Sequence, residues 1–297
     1  MVGLSKRKQY TQAFLYLFPA IFLIGLWVIY PVFGTIRMSF FEEWNIFTRE
    51  GTGFGLSNYI EVWNDDLFRR GVVNTIIYTF WVVPVSIVIS LFIAALLNSK
   101  LQGMKIFESI FFLPYITNII AIGLAFRFIF HSSYGVLNYI LGSIGIDPIV
   151  WLNDPEWALT TLIIFGIWAG LAFKIVIFMA GLQGIDPQYY QAAKIDGANR
   201  ITTFFRITLP LLAPIVAYIT VISMIGSLKV YTEIIGLFGG TLAGPANTAL
   251  SIVFYVYQKF YQESLPAVAS AAAVLLFVFI LVITVLQLAI NKPRVVS

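Results

Sequence analysis

Between Gly181 and Pro210 the sequence reads GLQGIDPQYYQAAKIDGANRITTFFRITLP. Long apolar segments flank it on both sides, so this polar stretch stands where a membrane protein needs only a short turn. It carries its own start and stop signals. Asp186 ahead of Pro187 is a helix entry, because the carboxylate accepts from orphan backbone N–H groups while proline's fixed φ suits the first helical position. Nothing from Pro187 to Asp196 interrupts a helix, and Gly197 can take the left-handed conformation that ends one. That length corresponds to about 15 Å of helix. Asp196 is then placed to cap a second helix, in which Ile201, Phe204, Phe205 and Thr208 recur at helical spacing before Pro210. The expectation is an exposed helix, a sharp corner at Gly197 and a return into the membrane.

The remainder of the chain sets the class. Its 297 residues are 60% hydrophobic and 11% charged, with a mean hydropathy of +0.90; soluble domains carry about 25% charged residues. This is the composition of an integral membrane protein. Without cysteine there is neither a disulfide framework nor a thiolate metal site to consider. The net charge of +4 is small and unevenly spread, which speaks for membrane orientation and against nucleic-acid binding.

Six apolar runs reach the roughly 20 residues that cross a bilayer: about Thr11–Thr35, Val72–Leu97, Phe107–Phe130, Ala158–Leu182, Ile207–Leu237 and Pro266–Ile290. The first is too long for the apolar core of a cleaved signal. The predicted fold is therefore all-α, with six transmembrane helices. It divides into an N-terminal segment 1–10, a first span 11–35, a loop 36–71, a core 72–290 and a tail 291–297. Lys6, Arg7 and Lys8, then Lys100 and Lys105, then Lys194, Arg200 and Arg206, and finally Lys292 and Arg294 all fall on one side. By the positive-inside rule that side is the cytoplasm, and it holds both termini and the Gly181–Pro210 stretch. The opposite loops collect acids, among them Glu42, Glu43, Glu61, Asp65, Asp154 and Glu263. In the first of these loops Asn58–Trp63 is expected to form a surface helix.

Gln191-Ala192-Ala193-x-x-Asp196-Gly197-Ala198, followed by Phe204, Ile207, Leu209 and Pro210, resembles the EAA loop of binding-protein-dependent ABC importers. The preceding Ala180-Gly181-Leu182-Gln183-x-Ile185-x-Pro187 resembles the carbohydrate-uptake branch, the maltose/multiple-sugar type permeases. One position departs from the family pattern, Gln191 standing where a glutamate is usual. The resemblance implies the type I ABC importer permease fold with a cytoplasmic coupling helix. Its ATPase-coupling residues would be Pro187, Tyr190, Gln191, Ala192, Ala193, Asp196, Gly197 and Ala198. It also implies a second, homologous permease subunit, two ATPase subunits that hold the ATP and magnesium, and an extracytoplasmic solute-binding protein. This chain then has no cofactor of its own, is not an enzyme, and sits among the lipids of a prokaryotic plasma (inner) membrane.

In that family the pathway is lined mainly by the spans flanking the EAA loop, which implies the Gly166–Gly170 and Gly226–Tyr231 regions here. Sugars are held by polar groups on their hydroxyls and by rings stacked on their apolar faces. Trp168, Ser227, Lys229 and Tyr231 are the first substrate-contact candidates, with Asn118 and Tyr115 behind them. Ionisable groups cost about 3 kcal/mol or more at bilayer depth, so Lys174, Lys229, Glu233 and Arg127 need partners or a wet cavity. Lys229 and Glu233, four apart on one helix face, either neutralise each other or line the pathway. Lys174 either lines a cavity or reaches the cytoplasmic headgroups, and Arg127 is close enough to the outer boundary to snorkel. Should the three cations share a cavity with Glu233 alone, the substrate would be an acidic or oligomeric saccharide.

Absent motifs narrow the function further. There is no GxxxxGK[ST] phosphate loop, no HExxH and no GxSxG, and the single histidine, His131, falls in an outer loop. The competing reading is an ion-coupled secondary transporter of small polar solutes. Such a carrier has no use for a capped helix and turn displayed outside the membrane.

Overall fold

The computed structural model describes residues 6–98, 106, 109–110, 113 and 115–290. Among them five helices are long and apolar enough to cross a membrane: Tyr10–Ser39, Asp66–Leu97, Ala158–Gln183, Arg200–Leu228 and Pro266–Ala289. The third predicted span is represented by a shorter apolar helix, Ile119–Ile129. Residues 107–108, 111–112 and 114 of its first half, together with Lys100, Lys105 and the 291–297 tail, lie outside the described residues.

Two of the long helices widen to a π turn just ahead of a proline. Gly25–Ile29 precedes Pro31, and Phe204–Thr208 precedes Pro210. A proline inside a helix removes one N–H and crowds the carbonyl four residues back, so a wider turn there relieves the strain.

The largest revision of the sequence expectation concerns the predicted Ile207–Leu237 span. Its helix starts at Arg200 and stops at Leu228, and a separate helix, Thr232–Phe238, follows. Tyr231 at φ −152° and ψ −54° breaks the run. Unpaired backbone groups are costly away from water, yet this break is furnished with partners. The amides of Lys229 and Val230 donate to Gly226 and Ser227, and the Val230 carbonyl accepts from Ser251 Oγ at 2.7 Å. Asp196 does not cap the second helix as expected. It closes the first, while Asn199 Oδ1 accepts from the Thr202 amide at 2.7 Å and starts the second.

The contacts divide the chain into two compact units, residues 1–65 with 256–277 and residues 66–255 with 278–297. In the first unit, the predicted Asn58–Trp63 helix forms as Ser57–Asn64. Beside it lies the one departure from an all-helical fold among the described residues, an antiparallel hairpin pairing Phe41–Asn45 with Glu50–Phe54. Asn45 Oδ1 organises the turn by accepting from the amides of Phe47 and Thr48. Buried Asn58 fixes the hairpin to the helix by donating to the Phe41 carbonyl at 2.6 Å. Lys259 bridges two acids here, 2.8 Å from Glu263 and 3.3 Å from Asp65. Burial works to lower its pKa, but hydrogen bonds and charge from the two carboxylates outweigh that and hold it above the ordinary lysine value.

In the second unit the Asp66–Leu97 helix packs against Leu171–Gln183, Leu209–Leu228 and Ala158–Ala169. Ala94, Ile175, Phe178, Leu212 and Ile219 form a closely packed, fully buried cluster there. Lipid tails are as apolar as these side chains, so shape complementarity, not expulsion from water, holds the spans together. At the opposite end of the same helix, Asn74 donates to the carbonyls of Thr248 and Leu250 at 2.9 and 3.0 Å. Arg70 reaches Ala246, and Thr75 Oγ1 accepts from the Ile252 amide. The Gly239–Leu250 loop is thereby held to the span by side chains spaced at helical turns.

Candidate functional site

The Gly181–Pro210 stretch forms the capped corner its sequence promises. Asp186 Oδ1 accepts from the Gln188 amide at 2.9 Å and starts the Pro187–Ile195 helix, a cap contributing about 1 kcal/mol. At its far end the Gly197 amide donates to Lys194 and the Ala198 amide to Ala193, at 3.2 and 2.9 Å. This crossed pair of bonds is a Schellman motif, and it requires the positive φ of +72° seen at Gly197.

The helix has two distinct faces. Ala193 is buried, and Tyr190 turns inward to bond Thr208 at 3.2 Å between hydroxyls, which ties the helix to the start of the next span. Tyr189, Gln191, Ala192 and Asp196 are exposed, and Ile195 is 86% exposed. Ile195 and Tyr189 thus stand open on the outer face of a capped helix that lies between two spans. Pro187 sits at the first helical position and Ala198, half-buried, just beyond the corner.

The substrate candidates lie on separate elements. Ser227, Lys229 and Tyr231 gather at the break after Leu228: Ser227 is buried and donates to the Met224 carbonyl, Lys229 is exposed, and Tyr231 is half-buried. Trp168 is half-buried with its ring 4.7 Å from that of Phe126. Lys174 is buried and donates to the Gly170 carbonyl at 2.9 Å, where Ala158–Ala169 gives way to Leu171–Gln183. Asn118 is exposed and caps Ile119–Ile129, accepting from the Ile120 amide. Tyr115 is exposed and stacks on Phe173.

The Lys229–Glu233 expectation changes. Because the helix breaks between them, Lys229 and Glu233 do not share a helical face, and they form no ion pair among the described residues. Glu233 instead accepts from the Thr232 hydroxyl. Arg127 is held by backbone carbonyls. Its Nε donates to Gly236 at 2.9 Å and its Nη2 to Ile235 at 3.3 Å, satisfying carbonyls at the end of the Thr232–Phe238 helix. Of the three cations considered for a shared cavity, Arg127 and Lys174 are thus engaged with backbone carbonyls.

Sequence reading passed over Asn199, Ser251 and the Asn74–Thr75 pair, and it placed Thr208 in a helical pattern without its bond to Tyr190. Asn199 had a local signal, an asparagine one residue before a helix. The other contacts join residues far apart in the chain and leave no local pattern.

Comparison with known proteins agrees with this layout. Residues 66–296 match the family described as "Binding-protein-dependent transport system inner membrane component". The lactose transport system permease protein LacF of Rhizobium radiobacter is 34% identical over 286 residues, covering 95% of this chain and 93% of the relative. The arabinooligosaccharides transport system permease protein AraP of Bacillus subtilis is 34% identical over 280 residues, covering 93% and 88%. A chain of a bacterial ABC transporter involved in the import of the acidic polysaccharide alginate superposes with a TM-score of 0.79 at 27% identity, covering 98% of each chain. The capped corner, the apolar spans and this match along most of the chain lead to one conclusion: the chain belongs to the family of inner membrane components of binding-protein-dependent transport systems.

Proposed function

We propose that this chain is the permease subunit of an ATP-driven importer for a carbohydrate. It supplies one half of the pathway beside a second, homologous permease. Two separate ATPase subunits bind ATP and magnesium and hydrolyse it, and an extracytoplasmic binding protein delivers the sugar. The N-terminus, the C-terminus and the Pro187–Ala198 corner face the cytoplasm. The observation that carries this reading is the exposed, doubly capped helix between two spans, with Ile195 and Tyr189 turned outward and Tyr190 anchored on Thr208. It is shaped to transmit a push, and an ion-coupled carrier has no use for one.

When the ATPase subunits close, the helix moves as a lever, and its Tyr190–Thr208 contact carries the motion into the Arg200–Leu228 span. That span ends at the break bearing Ser227, Lys229 and Tyr231, the residues we assign to the sugar together with Trp168. Lactose and arabinooligosaccharide carriers among the relatives favour a carbohydrate. Lys229 is the cation left exposed to meet an acidic one, so Lys229→Gln should reduce uptake of an acidic sugar and spare a neutral one.

The chain has no cysteine, so Gln191→Cys introduces a single reporter. In the assembled transporter it is expected to crosslink to an ATPase subunit, and nucleotide is expected to change the yield. Absence of crosslinking under every nucleotide condition would remove the coupling role. Gln191→Glu is expected to leave transport intact if this position only packs against the ATPase.

A further inference from the structure

A cavity of about 330 Å³ lies behind the Pro187–Ile195 helix, within the size range of small-molecule sites, about 300–1,000 Å³. Its position in the fold is informative. Asn98 follows the last residue of the Asp66–Leu97 helix, Leu182 sits in the last turn of Ala158–Gln183, and Arg200 opens Arg200–Leu228. Three membrane helices therefore end or begin at its wall, which sets it at the level where lipid headgroups meet water.

Its chemistry is divided. Ala95, Leu182 and Phe204 give it an apolar wall toward the spans. Tyr190, Thr203 and Thr208 bring hydroxyls, and Lys194 and Arg200 bring positive charge. Among the described residues the lining includes no carboxylate and neither cation forms an ion pair. Two uncompensated cations over an apolar wall suit a ligand that is anionic at one end and greasy at the other. Arginine pairs with phosphate oxygens in a fixed two-pronged geometry, while lysine contributes a mobile point charge.

We propose that this cavity binds the phosphate-bearing headgroup of an anionic membrane lipid. Basic pockets between membrane helices take such headgroups. Tyr190 and Lys194 come from the helix before the Gly197 corner and Arg200 and Thr203 from the helix after it, so a phosphate bound to both sides would brace the corner. Anionic lipid thereby sets the stiffness of the lever. The proposal concerns lipid and needs no particular substrate, and its test reads lipid binding directly, whatever the protein transports.

The test is native mass spectrometry of the assembled transporter, delipidated in neutral detergent and titrated with phosphatidylglycerol or phosphatidylcholine. The wild type is expected to retain phosphatidylglycerol preferentially. Lys194→Gln and Arg200→Gln should each lower that retention about fivefold, the effect of one basic side chain at a charged membrane surface, while Arg200→Lys keeps most of it. Equal retention of the two lipids, or undiminished retention in the double variant, would overturn the proposal. A separate arm adds inorganic phosphate and glycerol 3-phosphate: displacement of the lipid by either at comparable concentration would show a soluble-phosphate site and overturn the lipid assignment. Loss of an ATPase subunit from the double variant with lipid retention unchanged would likewise assign the cavity to an acidic protein segment. Should the double variant not assemble, Thr203→Trp fills the same cavity, and the same loss of phosphatidylglycerol is expected from it.

Discussion

At position 197 the backbone sits at φ +72° with open space where a side chain would go. A substitution there meets no neighbour, and only the backbone conformation resists it. Valine, branched at Cβ, is poorly suited to this region, and residues forced into sparsely populated conformations cost about 1–3 kcal/mol. Asparagine tolerates it far better. Gly197→Val is therefore expected to shift the corner away from its Schellman geometry by roughly 5- to 150-fold, cutting sugar uptake per ATP hydrolysed while expression persists. Gly197→Asn should retain most coupling. Uptake and ATPase activity measured together in proteoliposomes decide this, and full coupling in the valine variant would count against the lever. Lys259 is held by charge and not by backbone conformation. Its native pKa is raised, so its stabilising contribution is fully present below the ordinary lysine value of 10.5 and is lost as pH rises through the higher native value. Melting of the assembled transporter should depend on Lys259 equally across neutral pH. Lys259→Met should lower the melting temperature there and converge with wild type only in strong alkali; a difference that vanishes near neutrality would contradict the ion-pair account.

Among the elements, what could be read from sequence followed the range of the forces involved. The Pro187–Ile195 helix was legible because its determinants, Asp186, Pro187 and Gly197, act on neighbours in the chain. The long spans were legible because a bilayer imposes a length and a polarity that composition reports directly. The hairpin was not, since Gly51 and Gly53 read as loop residues and glycine is depleted in strands. The break after Leu228 was hidden for another reason: the hydroxyl that satisfies it belongs to Ser251, 21 residues further along. Arg127 and the Gly123–Gly236 contact are equally remote from any local pattern. A Cβ on Gly123 would stand 2.5 Å from the Gly236 Cα, so the two backbones meet with no room for a side chain. This is the small-residue packing by which membrane helices approach closely. Gly123→Leu should force Ile119–Ile129 away from Thr232–Phe238 and pull Arg127 from its carbonyls. We expect a loss of thermal stability in detergent of several degrees, measured against Leu124→Ala on an exposed position; an unchanged melting curve would mean that the contact is dispensable.

For the whole molecule, the asymmetry of charge makes a claim about sidedness that can be checked residue by residue. Basic residues cluster in the segments expected inside and acids in those expected outside, and short loops obey that bias because cations resist translocation. With no native cysteine, every introduced thiol reports alone. Thr48→Cys at the hairpin turn, Leu242→Cys in the Gly239–Leu250 loop and Gln191→Cys on the capped helix all replace exposed residues. A membrane-impermeant maleimide added to cells with a permeabilised outer envelope should label the first two and spare the third. In inverted vesicles Gln191→Cys should label, and the ATPase subunits should shield it until they are stripped away. That last step is the decisive one. A cytoplasmic position alone would suit any loop, whereas protection that comes and goes with the ATPases belongs to a docking helix. Labelling of Gln191→Cys from outside would invert the orientation, and with it the direction in which the lever could act.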